Sequence, residues 1–488
     1  MMREFMKMLL SCQICLAILT FATPARFVRA QELEQCPVSA PNAPTPKISE
    51  KGLADVCIPT GFNGNPIDFF DDYSWRVFLG LVWPAKDEER GKPDPAAELG
   101  ASGRPVVFET FKSDWEVFQP GGAAPSDWLE IGTNNPCGVK LEKGELVLAA
   151  FSKFENLAQA GFGNLVGPLI AQNRTYIRFE TAFNENEFDK IFKDKLYLRS
   201  NLNNVVFDAG AIDIKASWLD MTGIGHPERF YTRDAYLLDL ASETCSKKRV
   251  GLVGLHIVQK TASRPQWIWS SFEQVDNVAD PHSLAPLTFN ANDGVPMPKD
   301  ENPYKFPPPV ETPPPFNVER LKPVHPQTEK TNQAYRALLA KNGGPWQFYK
   351  LVVTQWPTTA GDPSLDGRPN HTFPGQGTDA TSFANTTMET FDQKSISTGC
   401  MNCHTRTKAS SDFLWSLNTR AWPSVLAVAT QVAAGSPSIT SLSLPRTRSK
   451  TLSGAFPTTK KLSIPQQQLD EFQALKDLMQ SAENPSGK

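Results

Sequence analysis

Between Pro296 and Pro326, eleven of thirty-one residues are proline, with triplets at Pro307-Pro308-Pro309 and Pro313-Pro314-Pro315. Proline fixes φ and lacks a backbone donor, so such a run builds neither a helix nor a strand within a ladder. It has to be extended, either as a spacer or as a strap laid over a surface. At 488 residues the chain is already too long for one comfortable core. The proline run divides it into a stretch before, 31–295, and a stretch after, 327–488.

Periodicity assigns different structure to the two stretches. In the first, Asp71 to Trp83 sets Trp75, Phe78, Leu79 and Val82 on one helical face and stops at Pro84. Asp71 and Asp72 read as charge at that helix's N-terminus, not as a catalytic pair. Tyr176 to Phe183 alternates as a strand and runs into a charged helix, Asn184 to Tyr197. Ala211 to Trp218, Arg229 to Asp239, Val250 to Val258 and Gln266 to Val275 follow as strands. Gly251 and Gly254 lack the spacing of a dinucleotide fingerprint. In the second stretch, a helix over Thr328 to Lys341 and a strand over Phe348 to Trp356 precede short helices at Ser382 to Gln393 and Asp412 to Leu417. An amphipathic helix, Leu469 to Met479, closes the chain. The expected fold class is α+β, with a β-rich domain and marginal helices over 31–295. A proline-rich linker or strap follows over 296–326, then a mainly α-helical domain over 327–488.

The first thirty residues are set apart from the fold. Arg3 and Lys7 give a positive start, Met8 to Ala22 is almost unbroken apolar sequence, and Val28 and Ala30 are suited to the −3 and −1 positions of a cleavage site. This pattern is that of a secretory signal peptide, 1–30. The competing reading, a retained membrane anchor, is disfavoured because the apolar stretch is shorter than the roughly 20 residues a spanning helix requires. A periplasmic or secreted protein without a membrane anchor is the expectation. Removing the segment leaves 45 basic against 51 acidic side chains, a formal charge of −6. That balance excludes the basic surface nucleic-acid binding demands.

Export changes what the cysteines mean. Cys36, Cys57, Cys137 and Cys245 are scattered, and in an oxidising compartment they suggest two disulfides. Three pairings are possible; Cys36 with Cys57 and Cys137 with Cys245 is the one expected. The remaining pair lies in Cys400-Met401-Asn402-Cys403-His404, a C-x-x-C-H. At such a sequence haem is attached through two thioethers and the adjacent histidine ligates the iron. Two intervening residues put both sulfurs on one edge of a turn, within reach of the two vinyl groups. A thioredoxin-like pair would follow a strand in a βαβ context, whereas this one follows the polar turn Ser395 to Gly399. A structural zinc site would need a second ligand pair, and no other C-x-x-C remains. A plain disulfide is the third competing reading.

On those five residues, in a chain that also carries an export signal, the sequence resembles the c-type cytochromes with one covalent haem c. Asn385 to Phe391, Gly254 to Val258 and Pro265 to Trp269 are further similar to large bacterial proteins of the cytochrome c family with no assigned activity. The resemblance implies haem attachment by Cys400 and Cys403, iron ligation by His404, and a redox partner. The chain departs from small carrier cytochromes in its length and in lacking a methionine in the usual downstream region. Met388, on the expected helix before the motif, is the leading candidate for the iron's other side. Met479, His371, His256 or an open site compete with it. Trp267 and Trp269 read as core or as a wall facing the haem. One-electron transfer is the first functional expectation. A haem enzyme of peroxidase or oxidase type with an open distal site, and a ligand-binding or sensing module with a haem reporter, are the alternatives.

Overall fold

The computed structural model describes residues 48–49, 52–53 and 66–423. The last range omits 102, 143, 152–155, 158–159, 161–166, 262–263, 299–307, 358–383 and 394–398. The N-terminal apolar segment, the expected Cys36–Cys57 pairing, His371, Met479 and the closing helix lie outside the described residues. No helix among the described residues is long and apolar enough to cross a membrane.

Helix α1 (Pro66–Leu81) opens the main fold. Trp75, Phe78, Leu79 and Val82, the stripe read from its periodicity, are fully buried. Eight strands then form one sheet: β1 (Lys112–Ser113), β2 (Leu146–Leu148), β3 (Arg178–Phe183), β4 (Ile212–Asp220), β5 (Thr232–Leu238), β6 (Cys245–Thr261), β7 (Arg264–Gln274) and β8 (Tyr349–Gln355). Their spatial order is β8-β7-β6-β4-β3-β1. Strand β6 is long enough to pair with β4 along its second half and β5 along its first, and β2 joins β5 in parallel. The only described disulfide, Cys137–Cys245, ties a loop to the start of β6 across 108 residues, as expected. Helix α2 (Glu185–Lys193) is capped by Asn184, whose side chain accepts from Glu187 N, and α3 (Pro326–Asn342) follows the proline run.

Side chains alternate across a strand, so the sheet has two faces, and here they differ in kind. On one, Ile214, Ala216, Leu255, Ile257 and Phe272 pack against α1 and α3. Phe78 stacks on Phe272 at 4.3 Å, and Trp75 on Tyr335 at 5.0 Å. On the other, the cross-strand rows Lys215-His256-Ser271 and Ser217-Gly254-Glu273 are polar. The turn 384–393 covers them. Asn385 Nδ2 donates to Phe272 O at 2.9 Å, the Thr387 and Ser217 hydroxyls are 2.8 Å apart, and Glu273 accepts from Thr386 N. Gly254 permits this approach, since a β-carbon there would overlap Thr387 Oγ1 and come within 2.7 Å of Ser217 Oγ.

Two expectations are overturned. Among the described residues the structure is mostly sheet, curled into a half-barrel with few helices, not a β-rich domain followed by a mainly helical one. Strand β8 lies beyond the proline run yet pairs with β7 from Tyr349↔Gln274 to Gln355↔Trp269. All seven of its residues are buried, so its backbone groups cannot turn to water and pair instead with the edge of β7. Nor is 384–393 helical. Its Asn and Thr side chains bond the sheet and their own backbone, an alternative to helix that these residue types favour. The proline-rich segment, where described, is a strap. Phe316–Asn317 pairs with Val295–Pro296, Tyr176 Oη donates to Pro309 O at 2.8 Å, and Val318 N donates to Phe289 O at 2.8 Å.

Two predictions follow from these contacts. Replacing Cys137 and Cys245 by serine is expected to lower the unfolding free energy by about 2–5 kcal/mol. Non-reducing peptide mapping should recover the two joined, and alkylation of either in the unreduced protein would reject the bridge. The second concerns Glu180, buried on β3, whose oxygens accept from Trp218 Nε1 at 3.0 Å and Ser113 Oγ at 3.2 Å. Burial pushes its pKa up from 4.5 to about 8, with Asp114 and Glu109 adding to the rise. The folded state therefore keeps a proton that the unfolded chain releases in that window, and stability falls as pH rises through it. Glu180→Gln should flatten that fall in urea titrations made on either side of the window; a fall equal to wild type would refute the assignment.

Candidate functional site

The residues Cys400–His404 form a one-turn helix, α4, starting at Gly399, whose carbonyl accepts from Cys403 N at 3.1 Å. Three positions apart, Cys400 and Cys403 share a side of the turn. Both are half-buried and neither belongs to the Cys137–Cys245 disulfide. Between them Met401 is fully buried and its backbone N–H donates to Gln355 Oε1 of β8 at 3.3 Å. Burial pushes the Cys400 thiol up, and the nearby Glu389 carboxylate adds to that. It is held as a thiol, not as the thiolate of a redox pair.

His404 is fixed from two directions. Its ring lies on Trp269 of β7, centroids 4.3 Å apart and planes inclined by 55°, and its Nδ1 is 2.6 Å from Phe413 O. A carbonyl only accepts, so Nδ1 carries the proton and donates, and the lone pair resides on Nε2. Nε2 has no hydrogen-bond partner among the described residues. Burial lowers the ring's pKa from 6.5 to about 4; the Phe413 carbonyl opposes this and Lys215 reinforces it. At neutral pH the imidazole is neutral, with its free nitrogen in the form that binds a metal.

The carbonyl is aimed by a strained turn. Asp412 and Phe413 have φ of 52° and 73°, left-handed values that cost a non-glycine residue about 1–3 kcal/mol each. The sheet holds them there. The Asp412 carboxylate pairs with Lys260 of β6 and accepts from Phe207 N at 2.8 Å, while its carbonyl accepts from Trp267 Nε1 at 3.0 Å. Trp267 is itself left-handed, φ 69°. Beyond this turn the chain enters helix α5 (Trp415–Arg420), three residues later than the helix expected from Asp412. Burial pushes Asp412 up and Lys260 down, each opposed by the other's charge.

Around α4, the polar face contributes His256, Lys215 and Glu389. His256 Nε2 is buried with no hydrogen-bond partner, and Glu389 Oε2 lies 3.6 Å away. Burial depresses His256 well below the usual histidine range, with Lys215 and His404 acting in the same direction. Burial raises Glu389 to about 7 against the pull of Lys215.

The structure thus gathers Cys400, Cys403 and His404 on one turn but does not bring Met388 to them. Met388 is buried beside Phe391, Phe289 and Val318 in a separate apolar cluster from the one that holds Met401 and Cys400. Its place on an expected helix was the reason to consider it, and that helix does not form. His325 is taken up as a cap, its Nδ1 accepting from Gln327 N at 3.1 Å. Of the flanking groups, Trp269, readable as core or as a wall, is buried and carries the His404 ring. Asp412, Lys260 and the Phe413 carbonyl carried no sequence signal, because they act through backbone conformation.

Two thiols and a neutral imidazole on one turn, with one ring nitrogen already committed, are a donor set suited to covalent haem. Among the described residues no group of three or more His, Cys, Asp or Glu side chains is arranged to hold a metal ion. Comparison with known proteins adds no relative, since no family model, no curated protein and no solved structure matches the chain.

The aiming role of the Asp412–Lys260 pair is testable by a double-mutant cycle with Asp412→Asn and Lys260→Met. Breaking a buried pair from one side is expected to cost about 3–5 kcal/mol. The two effects should be non-additive by at least about 1 kcal/mol in urea unfolding. Strict additivity would mean that the pair does not act as a unit.

Proposed function

We propose that the chain is an exported c-type cytochrome that holds one haem by thioethers to Cys400 and Cys403, ligates its iron with His404, and passes single electrons to a redox partner. The observation that carries this reading is the Nδ1–H···O bond from His404 to Phe413. A ligating histidine characteristically donates its other ring nitrogen to a carbonyl or carboxylate, which fixes the tautomer and raises the basicity of the ligating atom. Haem iron supplies a one-electron store whose potential follows from ligand identity and burial.

The remaining work belongs to the chain. Met401, locked into the core and bonded to Gln355, seats α4 on the sheet so that the two sulfurs keep their spacing. Trp269 sets the plane of His404, and the Asp412–Phe413 turn sets its rotation. These supports are residues of or bonded to the sheet, so they would hold His404 in a fixed orientation toward a bound haem. The Cys137–Cys245 disulfide and the apolar N-terminal segment both agree with a periplasmic or secreted location, where c-type haem is matured.

Expression with a haem c maturation system should yield a protein one haem heavier than its apo mass, with the haem resistant to acid-acetone extraction. Replacing Cys403 by serine should leave at most one thioether, visible as a shifted pyridine haemochrome band, and His404→Ala should leave little mature holoprotein. Recovery of apoprotein mass with free haem in the extract overturns the proposal.

A further inference from the structure

We propose that His256 is the second axial ligand of the haem iron, an inference that rests on the haem reading above. A ligand for the iron's other side has to sit on an element held rigidly relative to α4, carry a lone pair, and have no competing bond. His256 meets these conditions. It lies in the middle of β6, paired to Lys215 of β4 on one side and Ser271 of β7 on the other, so its backbone is fixed by ladders on both sides. It occupies the polar face, where Trp269 of β7 also contacts the His404 ring.

The nitrogen in question is unemployed. Nε2 of His256 is buried and makes no hydrogen bond, while most buried polar atoms in native proteins are paired. The nearest carboxylate, Glu389, is held back at 3.6 Å, beyond hydrogen-bond reach, because its Oε2 accepts from Asn385 N at 2.8 Å. Burial, and after it the charge of Lys215 beside it on β4, disfavours an imidazolium, so the ring stays in the neutral form a metal requires. Met388 has none of this, being a thioether packed among apolar side chains.

Two imidazoles on iron make it six-coordinate and low-spin, closed to small ligands, with a lower potential than a histidine–methionine pair gives. That outcome would assign the protein to the carriers rather than to haem enzymes with an open site.

The test uses the full-length holoprotein. Electron paramagnetic resonance and magnetic circular dichroism of the wild type should show low-spin iron with a bis-imidazole signature, without a thioether-to-iron charge-transfer band. His256→Ala should retain the same haem content by pyridine haemochrome but turn high-spin and bind carbon monoxide, and added imidazole should restore the low-spin spectrum. Met388→Leu should leave the spectrum unchanged. Glu389→Gln should also stay low-spin, which separates ligation from an ion pair between His256 and Glu389. A wild type that is high-spin or shows a thioether signature overturns the inference, as does an unchanged low-spin spectrum in His256→Ala. Should His256→Ala fail to fold, the wild-type signature decides alone. Absence of covalent haem would instead defeat the underlying reading, and haem content reports it separately from spin state.

Discussion

One hydrogen bond, from Nδ1 of His404 to the carbonyl of Phe413, depends on more of this molecule than any other contact at the site. To place that oxygen 2.6 Å from the ring, two consecutive non-glycine residues adopt left-handed backbone conformations. Left alone, such a turn would relax into an ordinary one. It is held by Lys260 and Trp267, residues of adjacent strands, acting on the carboxylate and the carbonyl of Asp412. The strain is thus borne by the sheet. The orientation of one imidazole is tied to the register of β6 against β7.

That dependence explains why the sheet has two unlike faces. The face against α1 and α3 is an aromatic core in which Trp75, Phe78, Phe272 and Tyr335 interlock, and it supplies the burial free energy. The opposite face would be solvated in most antiparallel sheets. Here it is covered by turns instead of a helix, and the turns are bonded down by Asn385, Thr386 and Thr387. A polar face satisfied in this way can bury Lys215, His256 and Glu389 close to α4, which an apolar face could not.

How much of this could be read from the residues alone follows from which signals are local. The α1 stripe, the alternation of β3, the strands β4, β6 and β7 and the charged helix after β3 are local signals, and the structure has them near where the pattern puts them. The C-x-x-C-H is equally local. The partner of β8 is not, because a buried strand shows that it needs neighbours without naming them; the proline run is readable as a linker or a strap, and where described it is a strap. Ser382 to Gln393 reads as a short helix, but its Asn and Thr residues favour bonding backbone and sheet over helix. Those same residues face a polar sheet, so their hydrogen bonds go across the chain instead of along it. Met388 was displaced by the same error.

Glycine 254 shows how the levels join. Its strand needs no glycine, and in isolation the residue weakens the ladder. Yet a β-carbon at that position would collide with the Thr387 hydroxyl and push away the turn that carries Glu389. Glu389, whose Oε2 accepts from Asn385 N within that turn, would then no longer stand 3.6 Å from His256. The local cost of one glycine in a strand thereby sets where Glu389 stands beside His256 on the face that carries α4.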